Sequence, residues 1–255
     1  MTDTADRPAA LVTGAATRLG REFALALADM GYDIALHYNS SATEAETTAA
    51  ELRTRGSDAE PLQCDLSRHQ DLPGLMERAL ARFPRLGVLV NSASRYVAGN
   101  LASTRPETVY AQLAVNLVAP MELMRVFAAS VDAGCVVNII DNKVAYAQYD
   151  YAAYLLSKKS LAEATRMAAL EYAPRIRVNG LSPGVVMPMS SRTADYLRWR
   201  LDGIPLKRQG KPEHLCHALR YLVENDFVTG QILTVDGGEG MFQVGRHSEN
   251  YPAAR

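Results

Sequence analysis

The octapeptide Thr13-Gly14-Ala15-Ala16-Thr17-Arg18-Leu19-Gly20 decides how this chain is read. On its N-terminal side the apolar run Ala9-Ala10-Leu11-Val12 stops at Thr13-Gly14, as a buried parallel strand does before a tight turn. On its C-terminal side, between Arg18 and Met30, Leu19, Phe23, Ala24, Leu27 and Ala28 recur at helical spacing, and Gly31 closes the segment as a cap. Strand, glycine turn and helix set backbone N–H groups and the positive end of a helix dipole side by side, where a pyrophosphate can be held. A plain βα turn also carries a glycine at each end, so the context has to decide.

The context repeats the pattern. Ile34 to Tyr38 reads as a second strand and Ala42 to Arg55, closed by Gly56, as a second helix. Pro61 to Cys64 before Asp65, Val88 to Val90 before Asn91, Cys135 to Ile140 before Asp141, Ile176 to Asn179 before Pro183, and Gln231 to Val235 before Asp236-Gly237-Gly238 read as further buried strands with helical stretches between them. Such alternation predicts an α/β fold, a doubly wound parallel sheet of Rossmann type with helices on both faces. At 255 residues, with no internal repeat, linker or low-complexity tract, residues 1–255 are read as one domain, with 1–8 and 245–255 polar enough to be loose. Ligands in such sheets sit beyond the carboxyl ends of the strands, so chemistry is sought just after each strand.

Composition removes several function classes. With 27 basic and 28 acidic residues the net charge is -1, which gives no broad footprint for nucleic acid or an anionic membrane. Cys64, Cys135 and Cys216 stand far apart, which disfavours a zinc site or disulfide framework and fits a reducing compartment; the histidines have no metal-ligand spacing. Met1 to Pro8 has no apolar core of a secretion signal, and no uninterrupted apolar run nears the roughly 20 residues of a membrane span, so a cytoplasmic location is expected.

Tyr154 and Lys158 form a Y-x-x-x-K pair whose spacing puts both side chains on one helix face. The lysine charge is expected to favour phenolate and lower the tyrosine pKa, making a general acid or base. At the end of the second strand, His37-Tyr38-Asn39-Ser40-Ser41 carries no acid to bind a ribose 2′-OH or repel a 2′-phosphate; hydroxyls and an imidazole stand there instead. Together with Arg18, whose guanidinium suits a phosphate, this predicts NADPH rather than NADH. The same pentapeptide also reads as a polar loop with Ser40 or Ser41 as a helix N-cap.

From about Leu11 to Gly238 these features resemble the short-chain dehydrogenase/reductase family. The resemblance rests on the glycine turn, with Arg18 where the middle glycine usually stands, Asp65, Asn91-Ser92-Ala93, Asn116, Tyr154, Lys158, Pro183-Gly184 and Asp236-Gly237-Gly238. It implies that Gly14, Arg18, Leu19, Gly20, residues 37–41, Asp65, Leu66, Asn91, Ser92, Ala93, Ser94, Pro183 and Gly184 border the cofactor, with Asp65 near adenine. Tyr154 would be the proton donor, Lys158 would also bind the nicotinamide ribose, and Asn116 would help hold a water in a proton relay. Met187 to Gly210 falls where the family places a mobile lid, and the Ala-rich stretch from Ala152 to Ala169 where it packs subunits, which implies a homotetramer.

One position departs. Thirteen residues before the tyrosine the family normally has serine, and here Asp141 stands. A serine hydroxyl supports a substrate carbonyl, whereas a carboxylate repels an alkoxide and suits a protonatable ring nitrogen. Asp141, Arg18 and Asn91-Ser92-Ala93-Ser94-Arg95-Tyr96 are together similar to pteridine reductases and dihydromonapterin reductases. That narrower resemblance implies a pterin stacked on Tyr96, with Ser94 and Arg18 at its polar edge and Asp141 and Tyr154 at the reacting bond. Departures remain: Ser40 stands where a basic residue is often found, Arg95 precedes the aromatic, and Val185 to Pro188 lacks the threonine common after Pro183-Gly184. Asp141 also reads as a helix N-cap. A ketone or 3-oxoacyl reductase, and an inactive dinucleotide-binding homologue, stay open at this point; substrate turnover separates them.

Overall fold

The computed structural model of the chain describes residues 7–146, 148–188, 192–241, 246 and 251–252. Met189, Ser190 and Ser191 of the expected lid, and nearly all of both expected loose termini, lie outside the described residues.

The strands are β1 (Ala9–Val12), β2 (Asp33–Tyr38), β3 (Ala59–Gln63), β4 (Leu86–Asn91), β5 (Gly134–Ile139), β6 (Ile176–Pro183) and β7 (Ile232–Val235). They form one parallel sheet in the order β3-β2-β1-β4-β5-β6-β7. The helices are α1 (Arg18–Asp29), α2 (Ala42–Thr54), α3 (Leu72–Arg82), α4 (Pro106–Leu113), α5 (Ala119–Ser130), α6 (Ala152–Glu171), α7 (Ala194–Asp202) and α8 (Pro212–Glu224). β1 reads as an unbroken apolar run because both its faces are covered and all four residues are buried. One core joins α1, α2 and α8 to the sheet through Phe23, Leu27, Leu52 and Leu219. The opposite core joins α3 and α5 through Leu75, Met76, Leu123 and Phe127. β6 is longer than its sequence pattern predicts because Gly180 to Pro183 pair with β7.

The chain winds outward from β1 in both directions, so β1 and β4 are neighbours whose following loops diverge. That is the crevice where a doubly wound sheet binds its ligand. A π-helical turn, Ala114–Val118, makes Pro106–Ser130 one helical run of 25 residues, long and apolar enough on average to cross a bilayer; Glu107, Glu122 and Arg125 interrupt it, and Leu123, Met124 and Phe127 are buried in the core.

The alanines of α6 do not form the expected packing surface. Ala152, Ala153, Ala162, Ala168 and Ala169 are buried, and the exposed apolar residues of that helix are Leu156, Met167 and Leu170. Small side chains bring α6 close to the sheet and leave the longer ones outside.

Candidate active site

A cavity of about 1030 Å³ opens over the carboxyl ends of the central strands, running from Asp65, Leu66 and Ser67 past the glycine turn to Tyr154 and Arg192. Its first part is made by backbone. Gly14 has φ +66, a left-handed conformation that costs glycine little. A Cβ on Gly20 would lie 2.2 Å from the Gly14 carbonyl oxygen, and one on Gly14 would meet the backbone of Ala93 at 3.0 Å. No side chain fits between turn and helix, and Gly14, Arg18, Leu19 and Gly20 border the cavity where α1 begins. This cradle, which a Cβ would fill, fits the pyrophosphate of a dinucleotide. Thr13 fixes the far wall: its Oγ1 accepts from the N–H groups of Ser92 (2.9 Å) and Ala93 (3.1 Å).

Arg18 takes φ +52, a left-handed conformation that residues with a Cβ rarely adopt. Its guanidinium donates to the Met187 carbonyl across the cavity mouth. Asn39, Leu19, Ser92, Ser94, Pro183 and Gly184 also line the cavity.

The rest of the predicted cofactor set falls differently. His37 reaches the cavity wall but is 1% exposed, and both its ring nitrogens are taken. Nδ1 accepts from the Gly14 N–H at 3.1 Å and Nε2 pairs with the Cys64 carbonyl at 3.0 Å. Burial pulls its pKa down from 6.5 to about 4. The expected imidazole contact with a 2′-phosphate is therefore replaced by a neutral ring that braces the turn. Tyr38 packs into the core beside α1 and α2. Ser40 and Ser41 lie at the helix entrance off the cavity wall; Ser41 is the N-cap residue, yet its side chain makes no cap bond. Asn91 is buried, donating to Asn138 Oδ1 at 2.8 Å and so tying β4 to β5.

At the other end Tyr154 donates from its hydroxyl to Asp141 Oδ2 at 2.7 Å. Asp141 Oδ1 accepts from the Lys143 N–H at 2.8 Å, so the carboxylate also caps the short 3₁₀ turn Asn142–Ala145. The N-cap reading of Asp141 is met by one oxygen, while the other faces Tyr154. Lys158 is fully buried, and its ammonium donates to the Ile139 carbonyl at 2.7 Å and lies 6.0 Å from the Tyr154 ring centroid. The expected lowering of the tyrosine pKa is reversed. Burial comes first, then the Asp141 charge and hydrogen bond, and together they hold Tyr154 well above 10. Lys158 is itself pulled down to about 8 by burial, against the pull of Asp141.

Asn116 sits in the π-helical turn, 0% exposed and off the cavity wall. Its Oδ1 accepts from the Arg95 N–H (2.7 Å) and Ser94 Oγ (3.2 Å), and its Nδ2 donates to the Arg95 carbonyl (2.8 Å) and Ser157 Oγ (3.0 Å). The side chain is saturated as a clamp between the β4 loop and α6, so the expected hold on a relay water does not come from this amide. Tyr96 stacks on Tyr151 (centroids 4.4 Å apart, 13° between planes) and meets Tyr154 edge-on at 4.6 Å. One face of the expected stacking platform is thus already covered.

Residues 14–239 match the family profile described as enoyl-(acyl carrier protein) reductase. Pteridine reductase 1 of Leishmania tarentolae is 32% identical, with 93% of this chain and 98% of that protein covered. The chain belongs to the short-chain dehydrogenase/reductase family. Granaticin polyketide synthase putative ketoacyl reductase 2 of Streptomyces violaceoruber is likewise 32% identical over 93% of this chain and 98% of its own length. Among solved structures, FolM alternative dihydrofolate reductase 1 from Brucella suis in complex with NADP superimposes with a TM-score of 0.88 at 32% identity, covering 94% of this chain and 97% of that one.

Within this short-chain reductase the sequence reading overlooked Tyr151, Lys143, Arg200 and Glu239 at the acceptor end. Tyr151, at φ +60, precedes α6 in a conformation few bulky residues adopt. Its place one helical turn before Tyr154 was a usable signal. Lys143 and Arg200 line the cavity, and Arg200 is ion-paired at 2.8 Å with Glu239, both almost fully buried. Asn142 donates to Glu239 Oε2 at 2.8 Å, so this ion pair anchors the residue next to Asp141. No local pattern marks Lys143, Arg200 or Glu239, because their roles arise from contacts across the fold.

Proposed function

We propose that this protein is an NADPH-dependent reductase of a pterin C=N bond. The observation that carries this reading is the Tyr154 hydroxyl bonded to Asp141 at 2.7 Å, where the family's serine would offer a hydroxyl to a ketone. NADPH supplies the hydride when it is bound. Arg18 and the turn from Gly14 to Gly20 would hold its phosphates, Asp65 would border the adenine and Lys158 the nicotinamide ribose; the NADP complex of the Brucella protein supports the choice of cofactor.

Asp141 and Tyr154 hold one proton between a carboxylate and a phenol oxygen. Their shared negative charge disfavours an alkoxide and stabilises a protonated ring nitrogen. Tyr154 would deliver its proton to the ring nitrogen beside the reduced carbon, and the Lys158 ammonium, 6.0 Å from its ring centroid, would favour the phenolate left behind. Tyr96 supplies the aromatic wall and Ser94 a hydroxyl at the polar edge of the ring. The Leishmania pteridine reductase supports the substrate class. We place the enzyme in the cytoplasm as a homotetramer in which Leu156, Met167 and Leu170 of α6 meet another subunit; a monomer mass in light scattering would remove that assembly.

The test follows NADPH absorbance with dihydrobiopterin, dihydromonapterin and dihydrofolate. A pterin should turn over, and Tyr154→Phe should slow it by about 10²- to 10⁴-fold, the span of a lost general acid; Asp141→Ser should also fall steeply. No pterin turnover, together with a ketone or 3-oxoacyl substrate accepted by Asp141→Ser, would move the enzyme to the ketoacyl reductases, among which the Streptomyces relative is named.

A further inference from the structure

Two cations on the acceptor wall have no part in the hydride and proton transfer just described. Lys143 is only 8% exposed; its ammonium donates to the Tyr96 hydroxyl at 3.1 Å and lies 5.6 Å and 5.2 Å from the Tyr96 and Tyr151 ring centroids. Arg192 donates to the Tyr151 hydroxyl at 3.0 Å, with its guanidinium 4.8 Å over the Tyr196 ring. Tyr96 and Tyr151 are stacked. The stacked pair therefore gathers an ammonium and a guanidinium at neighbouring points of one cavity wall.

Charge balance is what sets this wall apart. Arg200, which borders the same cavity, has Glu239 at 2.8 Å. Among the described residues no carboxylate forms an ion pair with Lys143 or Arg192, and the groups that stabilise the charged form of Arg192 are phenols. Asp141 forms no ion pair with either side chain; its oxygens meet the Lys143 backbone N–H and the Tyr154 hydroxyl. A buried ammonium and a half-buried guanidinium on one cavity wall lose solvation and repel one another, a cost that a bound anion offsets. Phenol hydroxyls and ring faces orient such cations but do not neutralise them.

We propose that Lys143 and Arg192 form an anion-recognition subsite, so that the acceptor is a pterin whose arm, pointing away from the reacting bond, ends in a carboxylate or phosphate. The inference rests on the pterin reading and narrows it to a substrate class.

Calorimetry on the protein saturated with NADP⁺ measures it with three oxidised pterins: biopterin, whose arm is neutral, folate, whose arm carries carboxylates, and neopterin phosphate. Wild type should bind at least one anionic pterin about ten- to a hundredfold more tightly than biopterin, the range commanded by charge-assisted hydrogen bonds. Preference between folate and neopterin phosphate identifies the anion. Lys143→Met should bring the ratio of anionic to neutral affinity toward unity, and Lys143→Arg should keep most of it. Arg192→Gln, on a less buried side chain, gives the same ratio test if Lys143→Met does not fold. Equal wild-type affinity for all three pterins would overturn the subsite and leave the pterin reading intact. NADP⁺ binding with no affinity for any pterin would overturn both.

Discussion

At the dinucleotide end of the cavity the wall is largely backbone, with Gly14, Gly20 and Ala93 so close that a single methyl has nowhere to go. At the acceptor end it is built from side chains that come from the β4 loop, the segment after β5, the start of α6 and α7. The first arrangement recognises what every dinucleotide has in common, a pyrophosphate, and tolerates little substitution. The second is free to vary residue by residue, and that is where one member of the family can differ from another in substrate. Substitutions at the two ends should therefore fail in different ways.

The largest effect is expected at Gly20. In Gly20→Ala the new Cβ would sit 2.2 Å from the Gly14 carbonyl, so the turn must open or α1 must move. NADPH affinity should fall by about a thousandfold or more, of order 4 kcal/mol, as read by quenching of NADPH fluorescence. An affinity within tenfold of wild type would show that the cradle is more plastic than its packing implies.

At the acceptor end the matching disruption is Glu239→Ala, which leaves Arg200 buried without its ion-pair partner. Loss of one member of such a pair costs about 3 to 5 kcal/mol, visible as a lower midpoint in urea. Because Asn142 also loses its acceptor on Glu239, the acceptor KM should rise while NADPH affinity changes little. A fall in NADPH affinity as large as that in stability would mean the two ends are coupled rather than separate.

This division also explains what could be read from the sequence. The cofactor end is local: strand, turn and helix occupy Ala9 to Asp29 without interruption, so periodicity and two glycines suffice. Tyr154 and Asp141 were recognisable too, one by its spacing to Lys158 and the other by the residue it replaces. Lys143, Arg200 and Glu239 were not, since Arg200 meets Glu239 only after the chain has passed through α8 and β7. His37 and Asn116 misled for the opposite reason. Their residue types fit a ligand contact, but burial, with two hydrogen bonds at His37 and four at Asn116, commits them to the scaffold.

His37 offers a test of the cofactor end that needs no ligand. Burial holds its folded pKa near 4, against 6.5 for a free imidazole, so as pH falls through 6.5 the unfolded chain takes up the proton first. The stability held by the neutral ring is complete above about pH 6.5 and drains as pH falls to 4, by roughly 3 kcal/mol at most. Urea midpoints measured across that window should decline in wild type and decline less steeply in His37→Gln, which can still accept from Gly14 N–H without titrating. Parallel slopes would assign acid sensitivity to other groups.

The smallest expected effect is at Arg18, where the two ends meet. Its backbone sits at φ +52, so Arg18→Gly removes a conformation that is mildly unfavourable for any residue with a Cβ, and the gain is diluted by the greater freedom of glycine when unfolded. Thermal stability should therefore stay within about 1 kcal/mol of wild type. The guanidinium, however, is lost from the phosphate side and from its bond across the cavity to the Met187 carbonyl. NADPH affinity should fall about tenfold, as befits one charge-assisted contact, while NADH affinity, which involves no 2′-phosphate, should change less. A substitution that leaves the fold untouched yet narrows the preference between the two nucleotides would place the guanidinium in recognition, whereas an equal loss for both would reduce Arg18 to a latch between the turn and the loop after β6.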